Sequence, residues 1–132
     1  MTYLLDTNVC IRFLNQPDSG IAKRLQQQHV NDITVCSVVK SELFFGAMKS
    51  QWPDRTLQKQ LAFLQVFKSW SFDDQAAILL GQIRADLARR GLPIGPYDLQ
   101  IAAIALANDC TLVTHNIAEF SRVEKLRLED WE

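Results

Sequence analysis

Tyr3-Leu4-Leu5-Asp6-Thr7-Asn8-Val9, YLLDTNV, begins as a short apolar strand and sets a carboxylate where the apolar run stops. Two later stretches share its strand character, Ile33-Thr34-Val35-Cys36 and Thr111-Leu112-Val113-Thr114. Short runs of this kind, without a long polar alternation, belong to strands covered on both faces, as in a parallel sheet. With residues 2 to 5 as the first strand, the segments in between should therefore supply the covering helices.

The intervening patterns agree. Ile21 to Val30 reads as a short polar helix, and Ser37 is placed to cap a helix over Val38 to Lys49. Pro53-Asp54 opens another helix, in which Leu57, Leu61 and Leu64 recur at three- and four-residue spacing and which extends to about residue 68. Trp70-Ser71-Phe72 reads as a short strand. Asp73 is the expected N-cap of a long helix carrying Ala76, Ala77, Leu80, Ile83 and Leu87, closed by Gly91 with Pro93 beyond it. Gly95-Pro96 starts the next helix, which runs through Ile101, Ala102, Ala105 and Leu106 to a turn at Asn108-Asp109. Leu126-Arg127-Leu128 adds a last strand. Strands alternating with helices of this length predict an α/β domain, a mainly parallel sheet with helices on both faces. In such sheets ligands bind outside the carboxyl ends of the strands, so residues just after a strand carry the first functional interest.

At 132 residues the chain has room for one domain, 1–132, and for no second core. Hydrophobic residues at 48% and charged residues at 22% match ordinary globular proteins and exclude disorder or low complexity. No apolar run reaches the length of a membrane span, and the start lacks the basic segment and cleavage site of a secretory signal, so the expected location is cytoplasmic, with no membrane partner. A formal net charge of -1 decides nothing about nucleic acid, because a neutral protein can be locally basic. Cys10, Cys36 and Cys110 lack a C-x-x-C pair and lie in or beside apolar segments, as buried free thiols do. His29 and His115 lack zinc-site spacing.

Four acids stand out. Asp6 follows the first strand directly, where it can cap a helix opened by Val9-Cys10-Ile11 or serve a site. Glu42 projects among Val38, Val39, Phe45 and Gly46 on the apolar arc of its helix, a costly position for a carboxylate without a partner or cation. Asp98 heads the stripe of Ile101, Ala102 and Ala105; the helix dipole favours its charge by about 0.3–1 kcal/mol but does not explain the inward direction. Glu119 follows the last good strand with Asn116, and solvation alone would account for it. Two carboxylates about 5 Å apart repel by roughly 3 kcal/mol at an effective dielectric near 20, so a cluster of them needs a cation. Oxygen ligands without His or Cys select Mg²⁺ or Mn²⁺, ions suited to hydrolysing phosphodiesters. Thr7 and Thr114 offer hydroxyls beside that cluster, either to orient a carboxylate or water or to satisfy the backbone at strand ends. Arg84, Arg89 and Arg90 in RADLARRG, with Arg12, Lys40 and Arg122 elsewhere, are solvated by default and also suit contacts to phosphate.

LLDTNV at the start, SELFFGA around Glu42, GLPIGPYDLQIAAIA around Asp98, and VTHNIAEF followed by LRLEDW together resemble the VapC-type toxins of the PIN-domain ribonuclease family, over nearly the whole chain. The resemblance implies a three-layer α/β/α sandwich and a Mg²⁺- or Mn²⁺-dependent endoribonuclease, the toxin half of a toxin–antitoxin operon. By motif position, Asp6, Glu42 and Asp98 would be the metal-binding triad, with Thr7, Asn8, Thr114 and Asn116 in support. Because Asn116 is neutral, the fourth acidic role falls to Glu119 or to no residue. The GPYD form implies a transfer RNA substrate, with the initiator tRNA anticodon stem-loop as one target. Implied partners are a small VapB-type antitoxin and a second copy of the chain; Phe44, Phe45, Trp52 and Phe63 are candidate contacts or core residues. The competing readings are a phosphoacceptor receiver domain, a degenerate PIN fold that binds without cleaving, and a PIN nuclease acting on ribosomal RNA or DNA. A receiver needs adjacent acids after its first strand and a Lys after its last. This chain has Leu5-Asp6 and Thr114-His115-Asn116.

Overall fold

A computed structural model describes residues 1–132. Its strands are β1 (Tyr3–Leu5), β2 (Ile33–Cys36), β3 (Lys68–Trp70), β4 (Thr111–Val113) and β5 (Leu128–Glu129). They form one sheet in the order β3-β2-β1-β4-β5, and every pairing is parallel. The helices are α1 (Thr7–Asn15), α2 (Gly20–Gln26), α3 (Ser37–Met48), α4 (Pro53–Leu64), α5 (Asp74–Arg90), α6 (Pro96–Ala107) and α7 (Ile117–Phe120). The chain steps from β1 to β2 to β3 in one direction and then returns to β4 on the other side of β1. Right-handed crossovers therefore send the helices after β3 to the opposite face from those before it, giving three layers. The expected α/β sandwich is present, with the sheet wholly rather than mainly parallel. No helix is long and apolar enough to cross a membrane.

Leu4, Leu5, Ile33, Val35, Leu112 and Val113 are at most 1% exposed, which accounts for the absence of polar alternation in the central strands. Each such side chain stabilises the fold by about 1.5–3 kcal/mol relative to exposure. Helix α6 is enclosed too. Ile101 through Ala105 are fully buried, and the small side chains of Ala102, Ala103 and Ala105 allow close packing against α5, α3 and β4. Pro96 sits in its first turn with φ already suited to a helix, so the end that carries Asp98 is rigidly placed. All three cysteines are free and buried.

Several element boundaries differ from the sequence expectations. Ser37 is the first residue of α3 and makes no capping bond; Cys36 ends β2 and is itself the boundary residue, so no position remains for a separate cap. The helix expected over 21–30 spans Gly20–Gln26, capped by the Ser19 hydroxyl, which accepts the Ala22 N–H at 3.2 Å. Beyond it His29 and Val30 are exposed, so no apolar contact prolongs the helix, and a single 3₁₀ turn covers Val30–Asp32. The helix from Pro53 stops at Leu64, before exposed Gln65 and Val66. β3 lies two residues earlier than the Trp70–Phe72 expectation because its partner ends at Cys36, which pairs with Trp70. The last strand falls at Leu128–Glu129, in register with Leu112 and Val113, rather than at 126–128. Phe45 is not part of a buried arc around Glu42: it is 65% exposed, with the Lys49 ammonium over its ring at 4.7 Å, and Gly46 is exposed beside it. Asp73 and Gly91 close α5 as expected, by a bond from the Ala76 N–H at 2.9 Å and by a left-handed φ of 67°.

Candidate active site

The strand order reverses between β1 and β4, and the crevice outside their carboxyl ends is where such sheets bind ligands. Asp6 stands at the end of β1, and its N–H donates to the Val113 carbonyl at 3.0 Å, extending the ladder by one residue. Asp6 both caps α1 and faces the crevice, so the two roles weighed from the sequence coincide. One carboxylate oxygen, Oδ1, accepts the Thr7 N–H at 2.8 Å, and Oδ2 accepts the Thr114 hydroxyl at 2.8 Å. Thr114, fully buried at the end of β4, also accepts the Asn116 N–H at 3.0 Å. The Thr7 hydroxyl donates to Glu42 Oε1 at 2.7 Å and so ties α3 to the head of α1.

Asp98 is half-buried in the first turn of α6. Glu119 lies on α7, where Oε1 accepts the Gly95 N–H at 3.1 Å and Oε2 accepts the Asn116 amide at 2.8 Å. It therefore joins the loop after β4 to the start of α6.

Two of the acids feel their surroundings. Burial first, and then the charges of Asp6, Glu119 and Glu42, together push the Asp98 carboxyl up to about 7. Asp6 is also raised, first by burial; the Thr114 and Thr7 hydrogen bonds oppose this, and the charges of Glu42 and Glu119 add to it. None of the ion pairs in the molecule involves Asp6, Glu42, Asp98 or Glu119. No three of these acids bring their ligand atoms to within 4.8 Å of one another, as His115, Asp130 and Glu132 do. Neighbouring carboxylates with hydroxyl and amide donors, and without a salt bridge to a basic side chain, are nevertheless the donor chemistry of a hard divalent cation. Each hydrogen-bonded oxygen of Asp6 keeps a second lone pair for a ligand.

The remaining candidates are dispersed. Asn8 is exposed on the wall of a cavity of about 570 Å³ that opens beside Asp6. Arg84 lines a separate groove with Leu80, Leu87 and Leu99. Arg89 is exposed on α5. Arg90 is held by Asp86 at 2.6 Å and by the Arg122 carbonyl, while Arg122 donates to the Pro93 carbonyl at 2.5 Å. Sequence reasoning did not find the Gly95 N–H as a partner of Glu119, nor a cluster of His115, Asp130 and Glu132 beside the same cavity. Neither leaves a local signal, because the partners come from different elements.

A family model described as "PIN domain" matches residues 3–126. The chain is 39% identical over 131 residues to a protein of Salmonella typhimurium named "tRNA(fMet)-specific endonuclease VapC", covering 99% of this chain and 98% of that one. It is 38% identical over 133 residues to "Ribonuclease VapC2" of Rickettsia felis, covering 100% and 99%. Among solved structures, a chain of the DNA-bound VapBC crystal structure from Salmonella typhimurium superposes with a TM-score of 0.94 at 39% identity, over 100% of this chain and 99% of that one. With the parallel sheet and the acids at its reversal point, these matches place the chain in the PIN-domain family, in its VapC branch.

Proposed function

We propose that this chain is the toxin of a toxin–antitoxin pair, a Mg²⁺- or Mn²⁺-dependent endoribonuclease whose ion is held by Asp6, Glu42 and Asp98, with Glu119 in reach as a fourth acid. The observation that carries the proposal is the set of hydrogen bonds that ties acids of different elements to the point where the sheet order reverses, Thr114 to Asp6, Thr7 to Glu42 and Gly95 to Glu119. Asp98 is close enough for their charges to help raise its carboxyl, and no salt bridge reaches any of them. When bound, the ion would neutralise the scissile phosphodiester and activate water.

The chain's own residues prepare that chemistry. Thr114 and the Thr7 N–H fix both oxygens of Asp6 and favour its ionised form. The Thr7 hydroxyl fixes the rotamer of Glu42. The start of α6 presents Asp98, with Glu119 and Asn116 bracing that end through Gly95. Asn8 and Asn116 offer amide groups to the substrate near Asp6. On the arginine-rich run, Arg84 and Arg89 are the proposed phosphate contacts, since Arg90 is engaged within the fold.

The proposed substrate is transfer RNA, specifically the initiator tRNA anticodon stem-loop. Support comes from the 39%-identical relative whose name specifies tRNA(fMet). The proposed partners are a small VapB-type antitoxin and a second copy of the chain, in line with the VapBC complex it superposes on. Phe45, Met48 and Trp52, 65%, 52% and 59% exposed around the end of α3, form the apolar surface proposed to meet one of them, whereas Phe44 and Phe63 pack against the core.

The test is cleavage of purified initiator tRNA with Mg²⁺ or Mn²⁺, followed by sequencing of new 5′ ends from cellular RNA after brief expression. Asp6→Asn, Glu42→Gln, Asp98→Asn and EDTA should each abolish cutting. Cleavage that persists in EDTA, or that is confined to DNA or ribosomal RNA, would refute the assignment.

A further inference from the structure

The cavity of about 570 Å³ beside Asp6 contains an anion that belongs to the protein itself. Glu132 Oε1 lies 2.7 Å from Arg12 Nη2, and Glu132 Oε2 lies 2.6 Å from His115 Nδ1. Asp130 Oδ2 approaches the same His115 nitrogen at 3.0 Å, and Asp130 Oδ1 accepts the Glu132 N–H at 3.0 Å. The Glu132 side chain is only 18% exposed, whereas Arg12 and His115 are 46% and 69% exposed. One carboxylate therefore bridges two potential cations that reach into the cavity from α1 and from the loop after β4. Carboxamides of Asn8, Asn15 and Asn116 line the walls, groups that donate and accept and can meet base edges.

Other arginines pair elsewhere. Arg24 is bound to Glu129 and lies over Trp131, and Arg127 is bound to Asp109. Arg12 is the arginine whose partner stands in the cavity that Asp6 also borders. Because Asp6 borders the same cavity, that wall offers a path for a phosphate neighbouring one held at the acids.

We propose that Arg12 and His115 form a phosphate subsite for the RNA, which the Glu132 carboxylate fills in the free protein and leaves when the substrate binds. The inference rests on the ribonuclease assignment above. A cation site is the competing use, since ligand atoms of His115, Asp130 and Glu132 lie within 4.8 Å of one another. The Arg12 guanidinium on the same Glu132 carboxylate opposes a second positive charge there.

The experiment measures binding of labelled initiator tRNA to the free toxin carrying Asp98→Asn, in EDTA, across a salt series. Adding Glu132→Gln should tighten binding about two- to fivefold, as expected for release of a partly exposed ion pair. Adding Arg12→Ala should weaken it and reduce the slope of log affinity against log salt by about one. Combining the two should shrink the gain from Glu132→Gln. Glu124→Gln, which removes an exposed charge on the turn before β5, should give no comparable gain.

Unchanged affinity in the Glu132 or Arg12 variants would overturn the subsite, as would an equal gain from Glu124→Gln. Mn²⁺ binding to the Asp98→Asn protein that disappears with Glu132→Ala would assign the cluster to a cation and overturn it too. If the wild-type chain cleaves RNA while these affinities stay put, only the subsite fails. If it neither binds nor cleaves RNA, the ribonuclease assignment falls with it.

Discussion

Asp98→Asn should abolish cleavage and at the same time stabilise the metal-free protein at alkaline pH. The Asp98 carboxyl titrates at about 7 against an ordinary value of 3.8, a difference of about 3 units. At about 1.4 kcal/mol per unit this is about 4 kcal/mol against the ionised form in the fold; solvent screening of a half-buried group reduces it to about 2 kcal/mol. The substitution also forfeits about 0.3–1 kcal/mol of favourable helix-dipole interaction at the start of α6. A net gain of about 1–2 kcal/mol remains, or roughly 5 °C in Tm for a chain of this size.

The sign follows from linkage. A carboxyl raised in the fold contributes stability below its unfolded pKa, near 4, and that contribution disappears as pH rises through 7. The variant's advantage should therefore be present at pH 8.5 and nearly absent at pH 4. The assay is thermal unfolding in EDTA at several pH values, repeated with Mn²⁺. The ion should stabilise the wild type and have little effect on the variant. Equal or lower stability of Asp98→Asn at pH 8.5, or an advantage independent of pH, would refute the claim that burial and neighbouring acids disfavour an ionised Asp98 in the metal-free fold.

Thr114→Val removes the donor to Asp6 Oδ2 and the acceptor of the Asn116 N–H while keeping side-chain volume, so calorimetric Mn²⁺ affinity should fall about 10- to 100-fold; an unchanged affinity would deny Thr114 its orienting role. Glu119→Gln should bring the Asp98 titration down toward the ordinary carboxyl range, followed by carboxyl NMR in the metal-free protein, because one of the charges raising it is gone. Gly91→Ala should cost about 1–2 kcal/mol in urea unfolding, since φ of 67° strains any side chain, and should leave cleavage intact at saturating metal.

The strand-end carboxylate was legible in YLLDTNV, and the long helices were legible from apolar spacing and from Asp73, Gly91 and Pro96. These are local quantities. Helical period, cap chemistry and proline geometry act within a few residues, and sheet logic then places residues after strands at one edge. Ends that depend on a partner were not legible: β3 stops at Trp70 because Cys36 ends the strand beside it, and Phe45 faces outward although its spacing suited the core.

The sequence by itself determined an α/β chain and the identity of its conspicuous acids, because composition and period are fixed along the backbone. Tertiary structure alone decided that Thr7 steers Glu42, that Thr114 holds Asp6, that Glu119 grips the start of α6, and that Glu132 closes over Arg12 and His115. A hydrogen bond or ion pair fails if its atoms shift by an ångström or two, and separations that fine are set by how distant elements pack.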